Sequence, residues 1–174
     1  MGSPIWEVVE FRKKIDNDSI FNVLKHVPIF SELNKKELNE VEEIIHRREY
    51  KKGEPIFRMG DPGLGMYIII NGLVNIVEEN EQNAVKTLAV LKDGAFFGDL
   101  ALLDEAPRSA SAIADDSCDI LGFFRPDFLD LLYRKPKLGI KILIALSRII
   151  GERLRRTNEQ LALLQNPKKT SAHG

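Results

Sequence analysis

Gly94-Ala95-Phe96-Phe97-Gly98-Asp99-Leu100-Ala101-Leu102-Leu103-Asp104-Glu105-Ala106-Pro107-Arg108-Ser109-Ala110-Ser111-Ala112 is the stretch on which the reading of this chain turns. Glycine at 98 lets the backbone approach a bound group closely. The short helix it opens leaves the N–H groups of Asp99, Leu100 and Ala101 facing a negative oxygen. Arg108 follows, fixed by Pro107. A guanidinium grips an oxyanion through two hydrogen bonds and stays charged at any physiological pH. Asp99 stands at the mouth of the same turn, where a carboxylate can accept from a sugar hydroxyl. Singly these signals are weak, because surface Arg/Asp pairs and Gly-Asp turns are common; their order carries the information.

Around this stretch the texture is that of short strands. Gly53, Gly60, Gly63, Gly65, Gly72, Gly94 and Gly98 punctuate β-branched runs such as Met66–Ile70 and Leu73–Val77, and Thr87–Leu91, Ser109–Ala114 and Asp119–Phe124 continue the pattern to Arg125-Pro126. Short strands joined by glycine turns predict a sandwich or roll over about residues 50–125. Upstream, apolar side chains at Ile5, Val8, Val9, Phe11, Ile15, Ile20, Phe21 and Leu24 predict one or two short amphipathic helices in an N-terminal segment 1–26. Leu33, Leu38, Val41, Ile44 and Ile45 predict a further helix capped by Ser31 or Asn34. Downstream, residues 136–165 read as one long helix in which Leu143, Ser147, Ile150, Leu154, Thr157, Leu161 and Leu164 recur at steps of four and three. That is a coiled-coil seam, satisfied either by a second copy of the chain or by the helix's own roll. Residues 166–174 form a polar tail expected to be disordered. The expected class is thus α+β, mainly β: one domain over 27–165, made of an antiparallel roll or jelly-roll over about 50–125 flanked by N-terminal helices and a long C-terminal helix over about 136–165.

Bulk properties narrow the function. With 25 Lys+Arg against 26 Asp+Glu the net charge is −1, which lacks the basic excess of a nucleic-acid binder. No apolar run approaches the roughly 20 residues of a membrane span, and the first residues show neither a secretory signal nor, with Trp6 where Ser or Thr is wanted, a myristoylation signal. A cytoplasmic setting is expected. Cys118 is the one cysteine and reads as a small buried hydrophobe. His26, His46 and His173 lie apart without metal spacing, and Glu78-Glu79 and Asp115-Asp116 read as solvated loop charges, so neither a metal nor a catalytic site is indicated and the chain is not expected to be an enzyme. Arg47-Arg48 with Lys51-Lys52 forms a local basic patch that reads first as a solvated face.

Phe97-Gly98-Asp99-Leu100-Ala101-Leu102-Leu103 followed by Pro107-Arg108-Ser109-Ala110 resembles, almost residue for residue, the phosphate-binding cassette of the cyclic-nucleotide-binding domain family. Gly60-Asp61, Met66-Tyr67-Ile68-Ile69 and Gly72 resemble its earlier roll, and the likeness runs from Val27 to Gln165. It implies that Arg108 neutralises a cyclic phosphate, that Ser109 and the Ala110 backbone add hydrogen bonds, and that Leu88 and Leu91 help line the base pocket. Arg153-Leu154-Arg155-Arg156-Thr157-Asn158-Glu159 resembles the long helix of catabolite-activator-like regulators. By that likeness Thr157 bonds the base, Asn158 reaches a partner's ligand and Arg153 lies near the phosphate. The plainer reading makes these arginines a solvated helix face and Thr157 a filler of the seam.

One residue departs from the family pattern: Asp99 stands where glutamate is usual, so the contact with the ribose 2′-hydroxyl weakens or passes through water. Ser109 leaves cyclic AMP and cyclic GMP both open, while the helix favours cyclic AMP. The resemblance therefore implies a sensor with a cyclic nucleotide as ligand, no further cofactor, and a downstream protein that the sequence does not name. Two alternatives stand beside it: a ligand-free scaffold or interaction domain, and a relative of catabolite-activator-type transcription regulators. Only about nine residues follow Gln165, so a helix-turn-helix is not expected in this chain and DNA is a poor candidate partner.

Overall fold

The computed structural model describes residues 19–79 and 85–165; the helices expected before Ser19 and the tail after Gln165 lie outside the described residues. Among the described residues, eight strands form two antiparallel four-stranded sheets. The first orders β1 (Ile45–Tyr50), β8 (Cys118–Phe124), β3 (Gly65–Asn71) and β6 (Phe96–Phe97). The second orders β2 (Pro55–Phe57), β7 (Ser111–Ala114), β4 (Val74–Glu79) and β5 (Val85–Leu91). Helices α1 (Ile20–His26), α2 (Lys35–Glu42), α3 (Arg125–Arg134) and α4 (Pro136–Gln165) flank them. This is the mainly-β roll with flanking helices that the sequence predicts. Among the described residues no helix is long and apolar enough to cross a membrane.

The run at β3 is apolar at every position because the strand has a core on each face. Met66, Ile68 and Ile70 enter a cluster with the helices, while Tyr67 and Ile69 enter the interior of the roll. β8 divides in the same way, with Leu121 and Phe123 on the helical side and Ile120 inside. Gly65 is required where these strands meet, since a Cβ there would lie 2.3 Å from the Phe123 carbonyl oxygen. Helix α4 completes the helical core with Leu138, Ile142, Ala145 and Leu146. Cys118 is buried in the roll, where its thiol donates to the Leu73 carbonyl at 3.1 Å and burial pushes its pKa up.

Two elements differ from the sequence reading. The helix expected to run through Ile44 and Ile45 stops at Glu42, and Ile45 opens strand β1. Ile45 is the strand's one fully buried residue; His46, Arg47, Arg48 and Glu49 face solvent on a sheet edge, so no alternation betrays the strand. Helix α3 was not anticipated; Pro126 sits within its first turn, where a missing N–H is harmless. Asn34 caps α2 in a reciprocal box with Glu37. In the basic patch, Arg47 pairs with Asp119 of the neighbouring strand.

Candidate functional site

The residues after β6 build the site. Gly98 adopts φ +72°, and the chain then makes a single 3-10 turn, Asp99–Leu102. The N–H groups of Asp99 and Leu100 begin that turn, whereas the Ala101 N–H is used on the Gly98 carbonyl at 3.2 Å. Glycine is needed at 98 on two counts: the positive φ, and a Cβ that would lie 2.7 Å from Arg108 Nη1.

Arg108 is held from both sides of its backbone. Its N–H donates to the Asp61 carbonyl at 2.8 Å, and its own carbonyl accepts from the Gly60 N–H at 2.8 Å. The Asp61 carboxylate in turn accepts from the Arg58 N–H at 2.7 Å. The Gly60-Asp61 pair is thus the clamp that fixes the arginine. The guanidinium is buried, 8% exposed, and donates from Nη1 to the Gly98 carbonyl at 3.1 Å and from Nη2 to the Gly65 carbonyl at 2.6 Å. It lies 4.1 Å over the Phe57 ring, while its buried Nε has no protein partner. Burial pulls its pKa below the ordinary arginine value, opposed by Tyr67, Asp61 and Asp99. A buried cation with an unspent donor at a cavity wall is an arrangement suited to an incoming anion.

The cavity measures about 530 Å³, within the range of small-molecule sites. It brings together Leu91, the Gly98–Ala101 turn, Arg108, Ser109 and Ala110 with Arg153 and Thr157 of α4. Two candidates are placed elsewhere. Leu88 falls at the register shift between β4 and β5 and packs against the roll interior, and Asn158 lies exposed on α4 outside the lining. Residues that the sequence reading did not name as ligand contacts also line the cavity, among them Phe57, Ile76, Phe96 and Leu154. Phe57 ends a three-residue strand, too short to show alternation, and Ile76 was legible only as a strand residue.

The site is closed on one side by an ion pair. Both Asp99 carboxylate oxygens accept from Arg153 Nη1 at 2.7 Å, with the guanidinium 5.1 Å over the Phe96 ring. Thr157 Oγ1 donates to the Arg153 carbonyl at 2.9 Å, which spends its proton inside the helix and leaves lone pairs to the cavity.

A mainly-β roll with a cavity built from an arginine, a glycine turn and a helix face has the form of a small-molecule-binding domain. The sequence pattern described as "Cyclic nucleotide-binding domain" matches residues 47–135, half of the chain, and the chain belongs to that family. It is similar to the cyclic AMP receptor protein of Thermus thermophilus, with 36% identity over 81% of this chain and 63% of that protein. It is also similar to a cAMP-dependent protein kinase regulatory subunit of Hypocrea atroviridis, with 33% identity over 64% of this chain and 23% of that protein. Among solved structures, the Thermus thermophilus catabolite activator protein superposes with a TM-score of 0.70 at 36% identity, over 79% of this chain and 63% of that one. A cyclic nucleotide-binding domain from Methylobacillus flagellatus superposes with a TM-score of 0.70 at 26% identity, over 82% of this chain and 80% of that one. The chain spans less than two thirds of the length of these curated relatives.

Proposed function

We propose that this chain senses a cyclic purine nucleotide, cyclic AMP in preference to cyclic GMP, and that the ligand sets the position of α4 on the roll. One observation carries the reading: the cavity has the buried Arg108 guanidinium on one wall and the Arg153–Thr157 face of α4 on another, so a ligand that fills it touches both. A ligand moves an equilibrium only by binding one state better, and contact with α4 supplies that difference. The cyclic phosphate sits at Arg108, with Ser109, the Ala110 backbone and the Gly98 turn beside it, and the base lies against Leu91, Ile76 and Leu154. Thr157 favours adenine, because a hydroxyl that has spent its proton on the Arg153 carbonyl can accept from the adenine 6-amino group but offers nothing to the guanine 6-oxygen. The Thermus relative is named a cyclic AMP receptor protein, and a kinase regulatory domain from Toxoplasma gondii, superposing with a TM-score of 0.60 at 26% identity, was solved with cAMP.

The same helix supports pairing of two copies. Leu154, Leu161 and Leu164 stand 58%, 48% and 79% exposed on the predicted seam, more apolar surface than a lone helix end needs. Asn158 is exposed beside Thr157, which leaves it free for the proposed contact with the ligand of the other copy. Isothermal titration calorimetry with cyclic AMP and cyclic GMP, on the wild type and on Arg108→Ala, tests the reading. Heat with cyclic AMP that is weaker with cyclic GMP and lost in the variant is expected; no heat with either ligand leaves the roll a scaffold.

A further inference from the structure

Strand β2 gains a residue where it passes the site. Pro55 pairs with Ile113 and Phe57 with Ala112, so two steps along β2 match one along β7, and Ile56 is the extra residue of a bulge. Ile56 and Phe57 are neighbours in sequence, yet both pack against the roll interior, which the alternation of a regular strand forbids. The bulge thus turns the Phe57 ring inward, where it meets Arg108 with the guanidinium carbon 4.1 Å from the ring centroid. The rings of Tyr67 and Phe97 stand 5.7 and 5.9 Å from it, and Phe97 is followed by Gly98, whose carbonyl accepts from the same guanidinium. Arg108 is therefore held by two carbonyls at its edge and by an aromatic face, largely out of water.

We infer that Phe57 is a positioning residue for Arg108: the bulge in β2 sets its ring against the guanidinium, and the attraction between ring face and cation keeps the arginine in its anion-binding place before a ligand arrives. The inference rests on the cyclic-nucleotide reading above and deepens it, because it gives the phosphate contact a third support beside the Gly98 and Gly65 carbonyls. The face of an aromatic ring is negative and draws a cation, and out of water the attraction is equivalent to about thirtyfold in an equilibrium constant. Without it, an entering ligand must first order the arginine, and that cost appears in its affinity.

Calorimetric titration with cyclic AMP and cyclic GMP, on the wild type, on Phe57→Leu and on a chain carrying 3,4,5-trifluorophenylalanine at position 57, tests this. The fluorinated ring keeps the shape of phenylalanine but withdraws the negative charge from its face, so a role in packing alone survives it. A weakening of about fivefold or more is expected in both altered chains. It should be the same for the two ligands, because it acts at the phosphate they share. Binding by the fluorinated chain within about fivefold of the wild type overturns the inference and leaves the cyclic-nucleotide reading intact. So does a loss that differs by about fivefold or more between the ligands, since Phe57 would then be a wall of the base pocket. No heat from the wild type with either ligand overturns that reading and this inference with it.

Discussion

Replacing Arg108 by methionine should separate stability from binding. The guanidinium is buried, 8% exposed, and has two carbonyl partners and an aromatic ring on one face. Against these stands a buried Nε with no partner and the cost of holding a cation out of water. Two hydrogen bonds to a charged donor contribute roughly 3–6 kcal/mol, while an unsatisfied buried donor costs about 1–3 kcal/mol and burying the charge costs several more. These terms oppose each other and are of similar size, so the net effect is small beside either. Methionine fills the volume against Phe57 and Tyr67; the Gly98 carbonyl freed by the change borders the cavity, where water can reach it, while the Gly65 carbonyl loses its partner in a buried setting at a cost of about 1–3 kcal/mol. Urea denaturation of Arg108→Met should therefore show a loss of stability of no more than about 2 kcal/mol. Binding should behave otherwise, because the bidentate phosphate contact is lost; about 3–5 kcal/mol corresponds to a weakening of roughly 150-fold to several thousandfold. A loss of stability above about 2 kcal/mol would refute the reasoning, since it would make Arg108 a structural strut rather than a cation held in readiness.

Three further outcomes follow from the same geometry. Gly98→Ala combines φ +72° with a Cβ 2.7 Å from Arg108 Nη1, so it should displace the guanidinium and lower affinity by about tenfold or more, read by calorimetry. Glu37 is held below the usual carboxylate value by its hydrogen bond to Lys141 and by the Asn34 N–H. Its contribution is present above the unfolded-state value and lost as pH falls through the folded one, so the stability gap between wild type and Glu37→Gln should be open at neutral pH and close in acid; a gap independent of pH would refute it. Hydrogen exchange along α4 should be slowest at Leu138–Leu146, the buried span, and faster toward Gln165, with cyclic AMP adding protection chiefly around Arg153–Thr157; uniform protection would count against ligand contact with the helix.

The parts of this site that were legible in the sequence are those in which local chemistry fixes the residue type. Gly98 answers a positive φ and a close approach, Pro107-Arg108 answers an anion, and the glycine-bounded apolar runs answer strands. What was not legible depends on contacts across the chain. Strand β1 shows only one inward apolar residue because it is a charged sheet edge, so its period is invisible. Leu88 leaves the cavity because of a register shift between β4 and β5, a property of the pair rather than of either strand. The Phe57 ring meets Arg108 through a fold contact that a three-residue strand cannot announce.

Asp99 shows how the same residue changes meaning between the two levels. In sequence it is a carboxylate one methylene too short for the ribose, and counts against the site. In the structure it is the group that fastens α4 to the cassette, at the point where the helix leaves its buried stretch. In its first half α4 is held by apolar burial up to Leu146 and by ion pairs of Lys141 with Glu37 and Arg148 with Glu32, and Lys135, just before the helix, pairs with Glu40. Beyond it, Arg153 reaches back to Asp99 as an ion pair buried on the carboxylate side, where breaking it leaves an uncompensated charge. On the proposed reading, a ligand phosphate beside Arg108 would bring a second anion to the edge that Asp99 and Arg153 share. The balance between those two anions for one guanidinium is then set at the only place where the roll and the second half of α4 are joined by charge among the described ion pairs. Position 99 therefore holds α4 through Arg153 while its carboxylate also borders the cavity.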